Sequence, residues 1–240
     1  MPTPTPTHVP PTATPSGGHY EGNRNSSIWT GWEAVDWHAY SFVTANWVAP
    51  SIPARDYSDM NTWIGFNGDS NELRSSAGYF VRAGIDASVD DVGDVYYDVY
   101  WEVKNTSGAI LAQNDSFYSD IAPGQKVNFT VWYNNGTLHF DFYDTITAWG
   151  NSGTSHTYYA PNWQEYTTDW IVSGEGRYLA DWNSAGLTLT NCRASLDNVN
   201  WYGINAKSYY SDTMVTSGGV ALANPGTPVS GGTQFSPSWG

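Results

Sequence analysis

The chain has 240 residues, with 23 Asp and Glu against 9 Lys and Arg, giving a formal net charge of −14. That length favours one domain with a tail. Such acidity excludes the electrostatic footprint of a nucleic-acid binder, because phosphate binding needs Lys and Arg, and it disfavours an anionic membrane surface. Charged residues make up only 13% while aromatics reach 16%, with 13 Trp and 17 Tyr, a composition unlike disorder and suited to a β-rich body.

Residues 2–15, PTPTPTHVPPTATP, alternate Pro and Thr. Such a tract builds no core and favours an extended, semi-rigid spacer. Residues 1–22 are therefore expected to be a disordered linker, and 23–240 a β-domain. Tracts of this kind join modules of extracellular proteins, so the expectation is a secreted, extracellular protein with a possible upstream module. Met1 is followed by polar residues, without the basic and apolar regions of a signal peptide. No apolar run approaches the roughly 20 residues that span a bilayer. The lone Cys192 allows no intrachain disulfide.

From Ser26 onward the apolar pattern has period two. In chain order the expected strands are Tyr40–Val48, Thr62–Phe66, Tyr79–Asp86, Val95–Lys104, Val127–Tyr133, Leu138–Tyr143, Thr168–Val172, Leu187–Asn191, Val220–Ala223 and Thr233–Phe235. The fifth and sixth flank Asn135-Gly136, a tight-turn signal, and read as a hairpin. No stretch shows a sustained helical period, so the class is all-β, an antiparallel sandwich or barrel. Within Val95–Lys104, Tyr97, Val99, Trp101 and Val103 fall on an apolar face. Asp98, Tyr100 and Glu102 fall on the other face, with Tyr96. That mixture of carboxylates and tyrosines suits a binding cleft. Arg82, Gly84 and Asp86 likewise share a side of their strand.

Seven segments, in order, resemble the glutamic peptidases or eqolisins. Ser27–Gly31 resembles their N-W-A-G opening, and Phe42–Pro50 (FVTANWVAP) a strand ending in V-P. Thr62–Asp69 (TWIGFNGD) resembles A-W-V-G-I-D-G-D. Val81–Asp86 (VRAGID) resembles L-Q-T-G-V-D. Tyr97–Glu102 (YDVYWE) resembles Y-D-A-W-Y-E. Thr168–Val172 (TDWIV) resembles A-E-W-I-V, and Leu179–Asn191 resembles F-A-D-F-G-S-V-T-F-T-N. The resemblance implies a concanavalin-A-like antiparallel β-sandwich (jelly roll) of two curved sheets, with a peptide groove on the concave sheet.

Members of that family hydrolyse peptide bonds at acid pH with one Gln and one Glu. The Glu shuttles protons and the Gln stabilises the oxyanion. The matching positions here are Arg82 and Asp169, so a neutral amide and a carboxyl become a guanidinium and a carboxyl. Arg82 can still donate hydrogen bonds to an oxyanion. A neighbouring arginine, however, stabilises the ionised form of a carboxyl and weakens it as an acid. Asp is also one methylene shorter, and about 1 Å of displacement can cost on the order of 10²-fold in rate. A retired site holding a structural Arg82–Asp169 ion pair is the competing reading. The resemblance further assigns Trp29, Trp63, Asn67, Asp86, Asp98, Tyr100 and Glu102 to substrate binding. Tyr100 stands where the family has Trp, and Asn67 where it has Asp.

The expected activity is acid endopeptidase cleavage of a polypeptide, without cofactor, by a monomer. The alternative is a non-catalytic module binding a polysaccharide or peptide. It draws on the tryptophans Trp32, Trp37, Trp101, Trp132, Trp149, Trp163 and Trp182, which either offer flat platforms or fill the core. Glycoside cleavage by two of Asp86, Asp98, Glu102 and Asp169 is a third reading. The acidic run at Asp86, Asp90, Asp91 and Asp94 lacks EF-hand spacing and reads as a solvated loop, so no metal is expected.

Overall fold

The computed structural model of the protein describes residues 18–52, 59–67, 79–118, 121–144, 152–174 and 186–239. Its strands in chain order are β1 (Tyr20–Ser26), β2 (Trp29–Val35), β3 (Phe42–Val48), β4 (Asp59–Phe66), β5 (Tyr79–Val89), β6 (Val95–Asn105), β7 (Ile110–Tyr118) and β8 (Lys126–Asn134). They continue as β9 (Thr137–Asp144), β10 (Ser152–Tyr159), β11 (Thr167–Ser173), β12 (Leu189–Ser195), β13 (Ser208–Val215), β14 (Ala221–Asn224), β15 (Gln234–Phe235) and β16 (Ser238–Trp239).

The strands form two sheets. The larger runs β16-β14-β13-β2-β11-β4-β5-β6-β7, with β1 also on β13, and the smaller runs β10-β9-β8-β3-β12-β15. All pairings are antiparallel except β1 with β13, which is parallel. The core lies between the sheets, where alternate residues of each strand meet. Ile64, Val81, Ile85, Val99 and Val103 come from the larger sheet, and Val43, Phe129, Phe140, Phe142 and Leu189 from the smaller. Trp101 stacks on Phe140 at 4.7 Å between centroids, and the Trp170 indole N–H donates to Thr44 O at 3.0 Å. Both contacts fix how the sheets sit on one another.

The hairpin joins β8 to β9 through Asn135 (φ 47°) and Gly136 (φ 85°), the paired positive φ values of a type I′ turn. The face assignment of β6 also holds. Tyr97, Val99, Trp101 and Val103 are buried in the core cluster, while Tyr100 belongs to a separate cluster with Trp63 and Ile171.

Several strands escaped the sequence pattern. β2 is buried on both faces, which erases the alternation that marks a half-buried strand; β11 is buried in the same way, although its span was expected as Thr168–Val172. β1 (YEGNRNS) has almost no apolar residue and exists because β13 pairs with it; Tyr20 Oη lies 2.7 Å from Ser211 Oγ. The first three residues of β1, Tyr20 to Gly22, lie inside the segment expected to be linker. Of the extra tryptophans, Trp32, Trp101 and Trp163 are buried core residues, and Trp132 stacks on His139 at 3.7 Å. Trp37 is 91% exposed. Trp149 and Trp182 lie outside the described residues, as does most of Leu179–Asn191 before Gly186.

Candidate active site

Every expected site residue falls on the larger sheet or its margin, on the face turned away from the smaller sheet. Strand register arranges them in rows. One row runs Tyr210, Glu33, Asp169, Gly65, Arg82, Glu102, Gln113 across β13, β2, β11, β4, β5, β6 and β7. The next runs Asp212, Gly31, Ile171, Trp63, Gly84, Tyr100. A third runs Trp29, Ser173, Asn61, Asp86, Asp98.

Asp169 and Arg82 thus share a row and a face with only Gly65 between them. Two interstrand spacings of about 4.8 Å put their Cα atoms about 10 Å apart. A Cβ on Gly65 would lie 1.9 Å from Val81 O, so the intervening strand must carry no side chain there. Gly84 does the same for Trp63, whose Cα and Cβ would lie 2.8 Å from an added Cβ.

Arg82 does not form the expected ion pair with Asp169. Its Nε donates to Glu102 Oε1, and Lys104 Nζ approaches the same oxygen at 2.8 Å. Glu102 is the direct cross-strand neighbour, about 5 Å away between Cβ atoms, whereas Asp169 is two strands off. Distance decides the partner. The Arg82 guanidinium lies 5.3 Å from the Tyr100 ring, 5.7 Å from Phe80 and 6.0 Å from Trp63. Burial works against its charge, but Tyr100, Glu102 and Asp86 outweigh burial and strengthen its hold on the proton. Burial likewise pushes the Tyr100 phenol up, so it stays protonated.

The aromatic floor consists of Trp63, edge-on to Trp29 at 6.1 Å and to Phe80 at 5.9 Å. Trp63 Nε1 donates to Ser173 Oγ at 3.3 Å. Asp86 accepts from Asn61 Nδ2 at 3.3 Å and sits in register with Asp98. Asn67 adopts φ 56°, which Asn tolerates. Its amide is engaged in closing the strand end, with Nδ2 donating to Tyr79 O at 3.0 Å and Oδ1 accepting from Thr167 Oγ1 at 3.1 Å.

Sequence reasoning missed Glu33 in the row of Asp169 and Asp212 in the next. Glu33 is 1% exposed, Asp169 1% and Asp212 3%. Arg24 Nη1 donates to Glu33 Oε2 at 2.6 Å, and its guanidinium lies 3.5 Å above the Tyr210 ring. Extending the Trp29-Thr30-Gly31 match by two residues would have placed Glu33 on the face of Trp29. Glu165, four residues before Asp169, is fully buried; burial raises its carboxyl from 4.5 to about 8, against one backbone hydrogen bond from Tyr79.

Beyond Glu33 the row of Val35 and Ser208 opens into a cavity of about 660 Å³, bordered also by Tyr210, Asp36, Lys207 and the exposed Trp37. Lys207 Nζ lies 3.0 Å from Asp36 Oδ2. Burial raises the Asp36 carboxyl, but the His38 and Lys207 hydrogen bonds outweigh it and hold it below its usual value. Asp90, from the acidic run, caps its own turn by accepting from the Val92 and Asp94 amides. Among the described residues no group of three or more His, Cys, Asp or Glu is arranged to hold a metal ion.

The arrangement therefore supplies a buried carboxyl for proton transfer, a guanidinium two strands away for developing negative charge, and an aromatic floor beside both. The model of the peptidase A4 family matches residues 27–224. The solved structure of scytalido-glutamic peptidase with a transition-state analogue inhibitor superposes with a TM-score of 0.64 at 14% identity, covering 90% of this chain and 99% of that one. SCP-B, an eqolisin solved with the tripeptide Ala-Ile-His, superposes with a TM-score of 0.62 at 14% identity, with the same coverage. At that identity the two likenesses establish the fold. No curated protein matches the chain.

Proposed function

The chain belongs to the peptidase A4 family, the glutamic peptidases or eqolisins, and from that premise we propose that it is a secreted acid endopeptidase whose working pair is Asp169 and Arg82. The observation that carries this reading is the shared row, with Asp169 and Arg82 on one face, separated by a strand that presents only Gly65. A peptide laid over Gly65 places its scissile carbonyl between the two. Asp169 takes a proton from the attacking water and returns it to the leaving amine. The guanidinium of Arg82 keeps its Nη donors for the oxyanion while Nε is spent on Glu102. Glu102, which Lys104 also contacts, holds the guanidinium in place. Trp29, Trp63, Tyr100, Asp86 and Asp98 line the path of the polypeptide, and the cavity beside Trp37 takes a side chain further along it. The enzyme works as a monomer without a cofactor, behind a Pro/Thr spacer that can join it to an upstream module.

The test is cleavage of denatured casein across pH 2–7 by the wild-type protein and by Asp169→Ala. Cleavage that the substitution abolishes supports the peptidase. A second reading, a non-catalytic module on the same face, is favoured by the Arg82–Glu102 ion pair, which ties up the residue that replaces the family's amide. It predicts no cleavage, and retention of the protein on an insoluble glycan or a peptide column.

A further inference from the structure

The row that holds Asp169 also holds Glu33 as its immediate neighbour. β2 and β11 pair antiparallel with Asp169 opposite Glu33, so their Cβ atoms are about 5 Å apart and their side chains leave the sheet on the same face. Both are 1% exposed. A carboxylate on either one therefore acts on the other through protein rather than water, where charges interact strongly. Glu33 is fixed by Arg24 Nη1 at 2.6 Å, and Arg24 in turn is seated on the Tyr210 ring.

We propose that Glu33, anchored by Arg24, is the positioning residue that sets the proton affinity of Asp169: its fixed negative charge beside Asp169 makes the ionised carboxyl a stronger base toward water and lets the protonated form persist to serve the leaving amine at pH values where a solitary aspartate has lost its proton. The proposal deepens the peptidase reading and rests on it for its purpose. It also answers the difficulty set by Arg82. A cation two strands away favours the ionised carboxyl, and a carboxylate one strand away favours the protonated one. The nearer charge is the stronger by Coulomb's law. The pair then behaves as two coupled carboxyls that release their protons in separate steps.

The charged and titratable groups that face Asp169 come from every strand around it. Glu33 is on β2, Arg24 on β1, Tyr210 and Asp212 on β13, and Arg82 on β5, with Glu102 and Lys104 on β6. Glu165 stands four residues upstream, and its carboxyl and the Tyr40 phenol both sense the Asp169 charge. Glu33 is the one directly opposite Asp169 on a paired strand.

The test reads the proton on Asp169 itself, by ¹³Cγ NMR titration of protein labelled at aspartate, with the Asp169 signal assigned from Asp169→Asn. Glu33→Gln keeps the shape and an oxygen for Arg24 but removes the charge. The Asp169 midpoint should fall by about one pH unit or more, and the acid limb of casein cleavage, which follows ionisation of the base, should move to lower pH with it. Arg24→Met removes the opposing cation and should raise the same midpoint. Opposite displacements in the two variants carry the proposal, which a merely structural role for either residue would not give, and the second variant decides alone if the first does not fold. A midpoint unmoved in both overturns it. If the displacements occur but the wild-type protein cleaves nothing, the peptidase reading falls and the proton assignment stands.

Discussion

Glu165→Gln offers a quantitative check on the buried carboxyls. Glu165 is 0% exposed, its Oε1 accepts from the Tyr79 amide at 2.5 Å, and burial lifts its carboxyl from 4.5 to about 8. Below pH 4.5 the folded and unfolded chains both hold this proton, and Glu165 adds no pH dependence. Between 4.5 and about 8 the unfolded chain releases the proton while the folded one keeps it, so the unfolded state binds fewer protons and stability falls as pH rises. At about 1.4 kcal/mol per pH unit, that interval amounts to about 5 kcal/mol by pH 8, a large share of the 5–15 kcal/mol typical of a domain. Glutamine keeps the acceptor for Tyr79 and cannot ionise. Urea unfolding followed by tryptophan fluorescence at pH 4.5, 6 and 8 should show wild type and variant close together at the lowest pH. By pH 8 the variant should be ahead by about 5 kcal/mol. The background repulsion of an acidic chain is nearly common to both proteins and cancels in the difference. Parallel pH profiles would refute the buried, proton-holding state of Glu165.

Gly65→Ala forces a Cβ to within 1.9 Å of Val81 O, a backbone atom that cannot swing aside. The expected loss is about 1–3 kcal/mol of stability, read by thermal melting, together with casein cleavage, because the Asp169 to Arg82 spacing changes. Trp37→Ala removes an indole that is 91% exposed and should leave the melting temperature unchanged. KM for casein should rise with little change in kcat, since the cavity it borders lies beyond the reacting row. An equal loss in both constants would place Trp37 nearer the chemistry.

Much of this protein is legible in its sequence because strand parity is a local property. The β6 alternation identified its core face and its polar face, the Asn135-Gly136 pair identified a hairpin, and seven motifs in order identified the family and so the sandwich. The same parity set Asp98, Tyr100 and Glu102 on one side. Register between strands, however, is not local. It decided that Arg82 meets Glu102 rather than Asp169, and that Glu33 stands opposite Asp169, because hydrogen-bonded neighbours sit about half as far apart as strands once removed. β1 shows the limit most plainly. Its residues, YEGNRNS, carry no strand signal, yet pairing with β13 orders them and delivers Arg24 to Glu33. The sequence by itself determined the fold class and the family. Only the tertiary structure decided which charges are neighbours, because an ion pair or a coupled carboxyl pair depends on ångström separations set by partners far along the chain.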